Sequence, residues 1–111
     1  EVLAATSHLP HMLAFGLVDA LARLKANDEI FRYAAGGFRD FTRIASSSPV
    51  MWRDICLANR EALSHVLEQF AVEMTDLADA IRRGDGERLL EIFSRAKVAR
   101  DRYVDGMRGG E

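Results

Sequence analysis

The stretch Ser48–Arg83, SPVMWRDICLANREALSHVLEQFAVEMTDLADAIRR, decides the fold, because it opens on a helix-start signal and meets no breaker before Gly84. Ser46-Ser47-Ser48-Pro49 supplies hydroxyls for capping and a proline at the first helical position, where its missing N–H is harmless. Leu63, Leu67, Phe70, Met74, Leu77 and Ile81 then alternate steps of four and three, an a/d-like seam kept over about three heptads. The pattern predicts one long helix over about residues 49–83. Gly84-Asp85-Gly86 makes the turn, with Asp85 as a cap. A last helix over about 85–107 carries Leu89, Ile92, Phe93, Ala96, Ala99, Tyr103 and Met107 on one face, and Gly109-Gly110 reads as a frayed tail. A helix of about 34 residues is ~50 Å long, whereas a compact domain of this size has a radius of gyration of only ~13 Å. The seam therefore predicts an antiparallel hairpin between the two helices, with a two-fold homodimer to bury the apolar surface the hairpin leaves.

The chain upstream is helical too. From Val2 to about Leu24, Leu3, Leu9, Leu13, Leu17, Ala20, Leu21 and Leu24 recur at steps of three and four. Pro10 interrupts the pattern. A helix starting at a Ser7 cap would hold Pro10 harmlessly in its first turn; a helix starting at residue 1 would be kinked there, freeing the Thr6 carbonyl, and this second arrangement is favoured. Asn27 caps a short helix from Asp28 to Ala34 that Gly36-Gly37 ends, and Phe38–Ser48 reads as loop or short helix. The fold class is all-α.

Composition narrows the function. The 111 residues suffice for one domain spanning 1–111, not for a nucleotide-binding domain plus a substrate domain. A formal net charge of −2 with no concentrated basic face argues against a nucleic-acid partner. No apolar run reaches the ~20 residues a membrane span needs, and there is no signal peptide. The lone Cys56 has no internal disulfide partner and reads as a buried, reduced thiol, pointing to the cytoplasm. Glu1 stands where an initiator methionine would, so the chain reads as a piece of a longer protein.

Two stretches carry residues that a helical core does not call for. In Ser7-His8-Leu9-Pro10-His11, two histidines lie three apart beside the proline, on one face if the helix runs through them. A metal would require further ligands, and His65, Cys56 and scattered carboxylates have no ligand-like spacing, so no metal is expected. The bland reading is a pair of hydrogen-bonded histidines near a helix end. In Gly36-Gly37-Phe38-Arg39-Asp40-Phe41-Thr42-Arg43-Ile44-Ala45, the two arginines lie four apart with Asp40 between them. This is either a surface salt bridge or an arginine fork presented to a ligand carboxylate, next to glycines that allow close backbone approach. Trp52 follows, as a core residue or as the wall of a site for a cyclic ligand. Together the two stretches suggest a site for an anionic ligand.

With Ser46-Ser47-Ser48-Pro49 and Trp52, these stretches resemble the C-terminal domain of prephenate dehydrogenases, including cyclohexadienyl and arogenate dehydrogenases, over essentially the whole chain. The resemblance implies an all-helical dimerisation domain, similar to the C-terminal domain of 6-phosphogluconate dehydrogenase, that follows an N-terminal Rossmann domain binding NAD or NADP. It implies oxidative decarboxylation of prephenate to 4-hydroxyphenylpyruvate, or of arogenate to tyrosine, in tyrosine biosynthesis. The family's catalytic histidine and serine lie in the other domain, so the chain alone should be inactive. By the same resemblance Arg43 binds a substrate carboxylate, and His11 contacts substrate and, in feedback-regulated members, tyrosine. Ser7 and His8 line that pocket, Gly36 and Asp40 lie around the cleft near the dimer interface, and Trp52 is a pocket wall. Two alternatives remain open: a free-standing regulatory module binding an aromatic amino acid, and a purely structural helical dimer.

Overall fold

A computed structural model describes residues 2–24, 27–32 and 35–109. Every element among them is helical, as the all-α expectation requires. A π-type turn at Ala4–His8 leads into α1 (Leu9–Ala22), followed by α2 (Asn27–Arg32), α3 (Gly36–Thr42), a 3-10 turn (Arg43–Ser46), α4 (Pro49–Ala58), α5 (Arg60–Arg83) and α6 (Gly86–Gly109). The Asn27 cap, the Ala34 end of the short helix, the Met107 contact, and Glu1 and Gly110 lie outside the described residues and side chains. No described helix is long and apolar enough to cross a membrane.

Pro10 is accommodated without ending the helix. The turn before it widens, so that the Leu9 N–H bonds the Ala4 carbonyl five residues back and Pro10 enters the first turn of α1. A wider turn moves the preceding carbonyls away from the pyrrolidine ring, which an α-turn would push against the carbonyl four residues back. Thr6 Oγ1 donates to the Val2 carbonyl at 2.7 Å in the same disturbed segment.

Two expectations are corrected in the middle of the chain. Gly36 and Gly37 do not end a helix; they open α3, after Ala35 in an extended conformation. The single helix expected over 49–83 is two, α4 and α5, parted at Asn59, whose φ of −116° and ψ of 38° leave the helical region. Asn59 itself stays bonded on both sides of the break, its N–H to the Ile55 carbonyl at 3.0 Å and its carbonyl to the Leu63 N–H at 3.0 Å. The start of α4 is as predicted: Ser48 Oγ accepts from the Met51 N–H, with Pro49 at the first helical position.

The chain falls into two compact units, Glu1–Gln69 and Phe70–Glu111. In the first, α1 packs against α2, α3 and the 3-10 turn, and Ala4, Ala14, Trp52 and Leu63 are buried. In the second, the α5–α6 turn forms as predicted. Gly84, at φ 67°, lets its N–H bond the Ile81 carbonyl and the Asp85 N–H reach the Ala80 carbonyl at 2.9 Å, which satisfies the last carbonyls of α5. Asp85 Oδ1 then accepts from the Arg88 N–H at 3.0 Å and caps α6. Beside this turn Ala80 is buried and Leu77, Leu89 and Ile92 are half-buried. Farther out the expected contact face opens, with Phe93 and Tyr103 exposed.

The buried stripe of α5 is not the predicted seam. It runs through Leu63, Val66, Phe70, Leu77 and Ala80, whereas Leu67, Met74 and Ile81, seven apart, remain exposed. The helix thus carries two neighbouring apolar edges, and the alternation of four and three merged them into one.

A Cβ at Gly84 would meet nothing within 4 Å, so replacing this glycine tests the backbone alone. Gly84→Ala should lower stability by about 1 kcal/mol in urea denaturation, the cost of a left-handed conformation with a side chain. An unchanged midpoint would mean that the turn does not depend on it.

Candidate functional site

The π-type turn places the first histidine pair. His11 Nδ1 lies 2.9 Å from the Ser7 carbonyl, so the ring donates to a backbone oxygen inside the segment that Pro10 disturbs. Its face lies on the Trp52 indole, centroids 3.8 Å apart and planes 20° apart. His8 meets the same indole edge-on, at 5.8 Å and 83°. Trp52 is only 7% exposed, the core residue that the sequence allowed, and it backs both imidazoles. Its Nε1 finds no hydrogen-bond partner among the described residues.

Asn59 completes the cluster, and the sequence reading missed it. Its Nδ2 lies 3.1 Å from His8 Nδ1, across 51 residues of chain. The available signal was an asparagine within an otherwise unbroken helical pattern, a residue whose short amide competes with the helix backbone. His8 and Asn59 line one groove of about 530 Å³ with Val2, Leu3, Ile55 and Ala58. A second, of about 270 Å³, is almost wholly apolar and is lined by Met12, Phe15, Pro49, Trp52, Arg53 and Cys56. Cys56 is half-buried, with Sγ 3.5 Å from Met12 Sδ.

The second motif stands apart from these contacts. Helix α3 ends at Thr42, whose hydroxyl donates to the Phe38 carbonyl at 2.7 Å, and Arg43 begins the tighter 3-10 turn. The continuous helical register that would put Arg39 and Arg43 on one face therefore stops between them. Arg43 and Asp40 are exposed, and the Asp40 salt bridge is not made among the described residues. Neither residue touches the imidazoles through a hydrogen bond, although the 3-10 turn packs on α1, the helix that carries His11. Gly36 is also exposed, and a Cβ built on it meets nothing within 4 Å; within this chain the glycines admit no close neighbour. The structure thus brings His8, His11, Ser7 and Trp52 together and leaves Arg43, Asp40 and Gly36 facing outward. Among the described residues no three His, Cys, Asp or Glu side chains gather to hold a metal ion.

Chemically, the cluster offers two imidazoles fixed on an apolar base, and the 3-10 turn offers a guanidinium with no partner among the described residues. That combination suits a small cyclic molecule bearing carboxylate and hydroxyl or amino groups.

Comparison with known proteins bears on the family and the fold. A family model described as the prephenate dehydrogenase dimerization domain matches residues 1–95. A cyclohexadienyl dehydrogenase of Zymomonas mobilis is 46% identical over 102 residues, covering 90% of this chain and 35% of that protein. A prephenate dehydrogenase of Bacillus subtilis is 38% identical over 104 residues, covering 90% of this chain and 27% of that protein. Of solved structures, prephenate dehydrogenase from A. aeolicus in complex with hydroxyphenyl propionate and NAD+ superposes with a TM-score of 0.81 at 43% identity, over 89% of this chain and 35% of that one. Synechocystis arogenate dehydrogenase gives a TM-score of 0.85 at 26% identity, over 92% of this chain and 38% of that one. The chain spans about a third of the length of these relatives.

Trp52→Ala should cost about 3 kcal/mol in urea denaturation, because it removes a buried indole and the surface on which both imidazoles rest. A loss under about 1 kcal/mol would show that the cluster does not depend on Trp52.

Proposed function

Because the chain belongs to the prephenate dehydrogenase family, as its dimerization domain, we propose that it is the substrate-binding and dimer-forming part of an NAD(P)-dependent enzyme that oxidatively decarboxylates prephenate or arogenate. The observation that carries this reading is the assembly of His8, His11 and Trp52, from two distant stretches of sequence, into one cluster, with the turn that bears Arg43 packed elsewhere on the helix that carries His11.

The substrate's chemistry sets what the site must do. Prephenate is a dianion with a ring hydroxyl; its ring loses a hydride from the carbinol carbon and carbon dioxide from the opposite carbon, and becomes aromatic. Acceptance of that hydride is what a bound NAD or NADP supplies. This chain has no GxGxxG loop between a strand and a helix, so the nicotinamide cofactor belongs to an N-terminal Rossmann domain, and residues 1–111 alone are inactive. The part played by this chain is to hold the ring in one pose, which removes much of the entropic barrier to transfer. Arg43 grips a carboxylate with its planar fork, an arrangement lysine cannot copy. His11, His8 and Ser7 line the ring's pocket with Trp52 behind them, and Asp40 and Gly36 lie toward the dimer interface. Tyrosine has the same ring size and a carboxylate, and is the feedback ligand that this pocket would accept. The pathway is that of tyrosine biosynthesis, in the cytoplasm.

The dimer follows from what the chain leaves uncovered. Met74 and Ile81 on α5, and Leu90, Phe93, Val98 and Tyr103 on α6, are exposed, with Ile81 at 60% and Phe93 at 55%. Apolar exposure on this scale in so small a domain marks an interaction surface, and a two-fold homodimer covers it with the same surface of a second copy.

In the full-length protein, Arg43→Ala should raise KM for prephenate tenfold or more, a loss of about 1.4 kcal/mol, while sedimentation still finds a dimer. An unchanged KM would put the carboxylate elsewhere and would favour a structural role for the turn. Met74→Glu places a charge in the middle of the exposed stripe of α5. It should convert the dimer to monomers in sedimentation, since a buried, unpaired carboxylate costs several kcal/mol; a dimer that persists would move the interface off this edge.

A further inference from the structure

We propose that Asn59 is a positioning residue that, together with the Ser7 carbonyl, fixes His8 and His11 in opposite tautomers, so that the pair meets its ligand with one donor, His8 Nε2–H, and one acceptor, His11 Nε2. This rests on the reading of the pocket given above and specifies the ligand groups it selects.

The assignment follows from what each partner atom is able to do. An amide nitrogen carries two hydrogens and accepts nothing, so Asn59 Nδ2, 3.1 Å from His8 Nδ1, must donate to it. A neutral imidazole has one N–H, and with Nδ1 accepting, that hydrogen is on Nε2. The Ser7 carbonyl only accepts, so His11 Nδ1, 2.9 Å away, carries the hydrogen and leaves its Nε2 with a lone pair. A half-turn of either ring would put a carbon where the bonded nitrogen now sits. The contacts with Trp52 fix only the plane of each ring, so the two hydrogen bonds are what oppose such a turn.

Asn59 is placed for this task by its backbone. It leaves the helical region at φ −116° and ψ 38° while its own N–H and C=O keep their bonds to Ile55 and Leu63, so the break between α4 and α5 redirects the side chain without freeing Asn59's own backbone groups. The amide then lies on the same groove as His8. No other described feature of this segment requires an asparagine.

The consequence is a rule for the ligand. A carboxylate or carbonyl oxygen satisfies His8 Nε2–H, and a hydroxyl or ammonium hydrogen satisfies His11 Nε2. A ligand with carboxylates and no donor would set an oxygen lone pair against that of His11, an unfavourable contact in a partly buried site. Hydroxy acids and amino acids meet both demands.

The test is made on the full-length protein labelled with nitrogen-15 histidine, near pH 8, above the ordinary imidazole range of about 6.5. Long-range proton–nitrogen spectra read which ring nitrogen carries the hydrogen, and His8→Gln and His11→Gln identify the signals. The wild type should show His8 unprotonated at Nδ1 and His11 unprotonated at Nε2. Asn59→Asp keeps the size of the side chain but presents oxygens that only accept, so it should move the His8 hydrogen to Nδ1 and leave His11 unchanged. Prephenate KM should rise about fivefold or more, kcat should change less, and the circular dichroism spectrum should stay the same. Asn59→Ala should give mixed His8 tautomers and an intermediate KM. Wild-type His8 protonated at Nδ1, or both rings in the same tautomer, overturns the proposal whatever the kinetics. A reversed His8 with unchanged KM, when Arg43→Ala still raises KM, also overturns it but leaves the substrate site standing. If neither variant alters KM, the substrate reading itself fails.

Discussion

One missing hydrogen shapes the first half of this structure. Pro10 has no N–H to give the preceding turn, and its ring cannot sit against a regular α-helical carbonyl. The chain responds by widening the turn at Ala4–His8, and helical direction is kept at the cost of regularity. Within that segment the His11 ring supplies a donor to the Ser7 carbonyl. A ring held by that bond lies flat on Trp52, and Trp52 belongs to α4. The stacking therefore joins two helices that are far apart in sequence, next to the segment that the proline disturbs.

The second irregularity meets the first. Asn59 interrupts what would otherwise be one helix, and its amide reaches the histidine at the end of the widened turn. Each defect taken alone costs stability; a helix interior prefers neither a proline nor an asparagine. Together they are connected by a hydrogen bond and share an aromatic base. Irregular backbone is tolerated where surrounding contacts over-determine it, and that condition is met around His8, His11 and Trp52 and at few other places in the chain.

The remaining helices show how little a chain of this length can bury by itself. Among the described residues the buried apolar ones are Ala4, Ala14, Trp52, Leu63 and Ala80, and no large side chain is fully covered. Small domains retain much of the surface of their unfolded chains, and association is one way to make up the deficit. Helix α5 expresses this directly, with one apolar edge turned inward and another, through Leu67, Met74 and Ile81, left outside.

Much of this was legible in the sequence because it depends on neighbours in the chain. The all-α class, the Ser48-Pro49 start of α4 and the Gly84 and Asp85 turn all rest on local periodicity, capping and turn chemistry. The family was legible for the same reason, since its motifs are contiguous. Three things were decided only in three dimensions. The stripe of α5 that turns inward depends on what packs against it, and a pattern of fours and threes does not choose between two adjacent edges. Whether Gly36-Gly37 ends one helix or begins the next depends on the extended Ala35 before them. The partner of Asn59 is a histidine 51 residues away, and although the asparagine itself hints at a break, no local rule anticipates a partner at that distance.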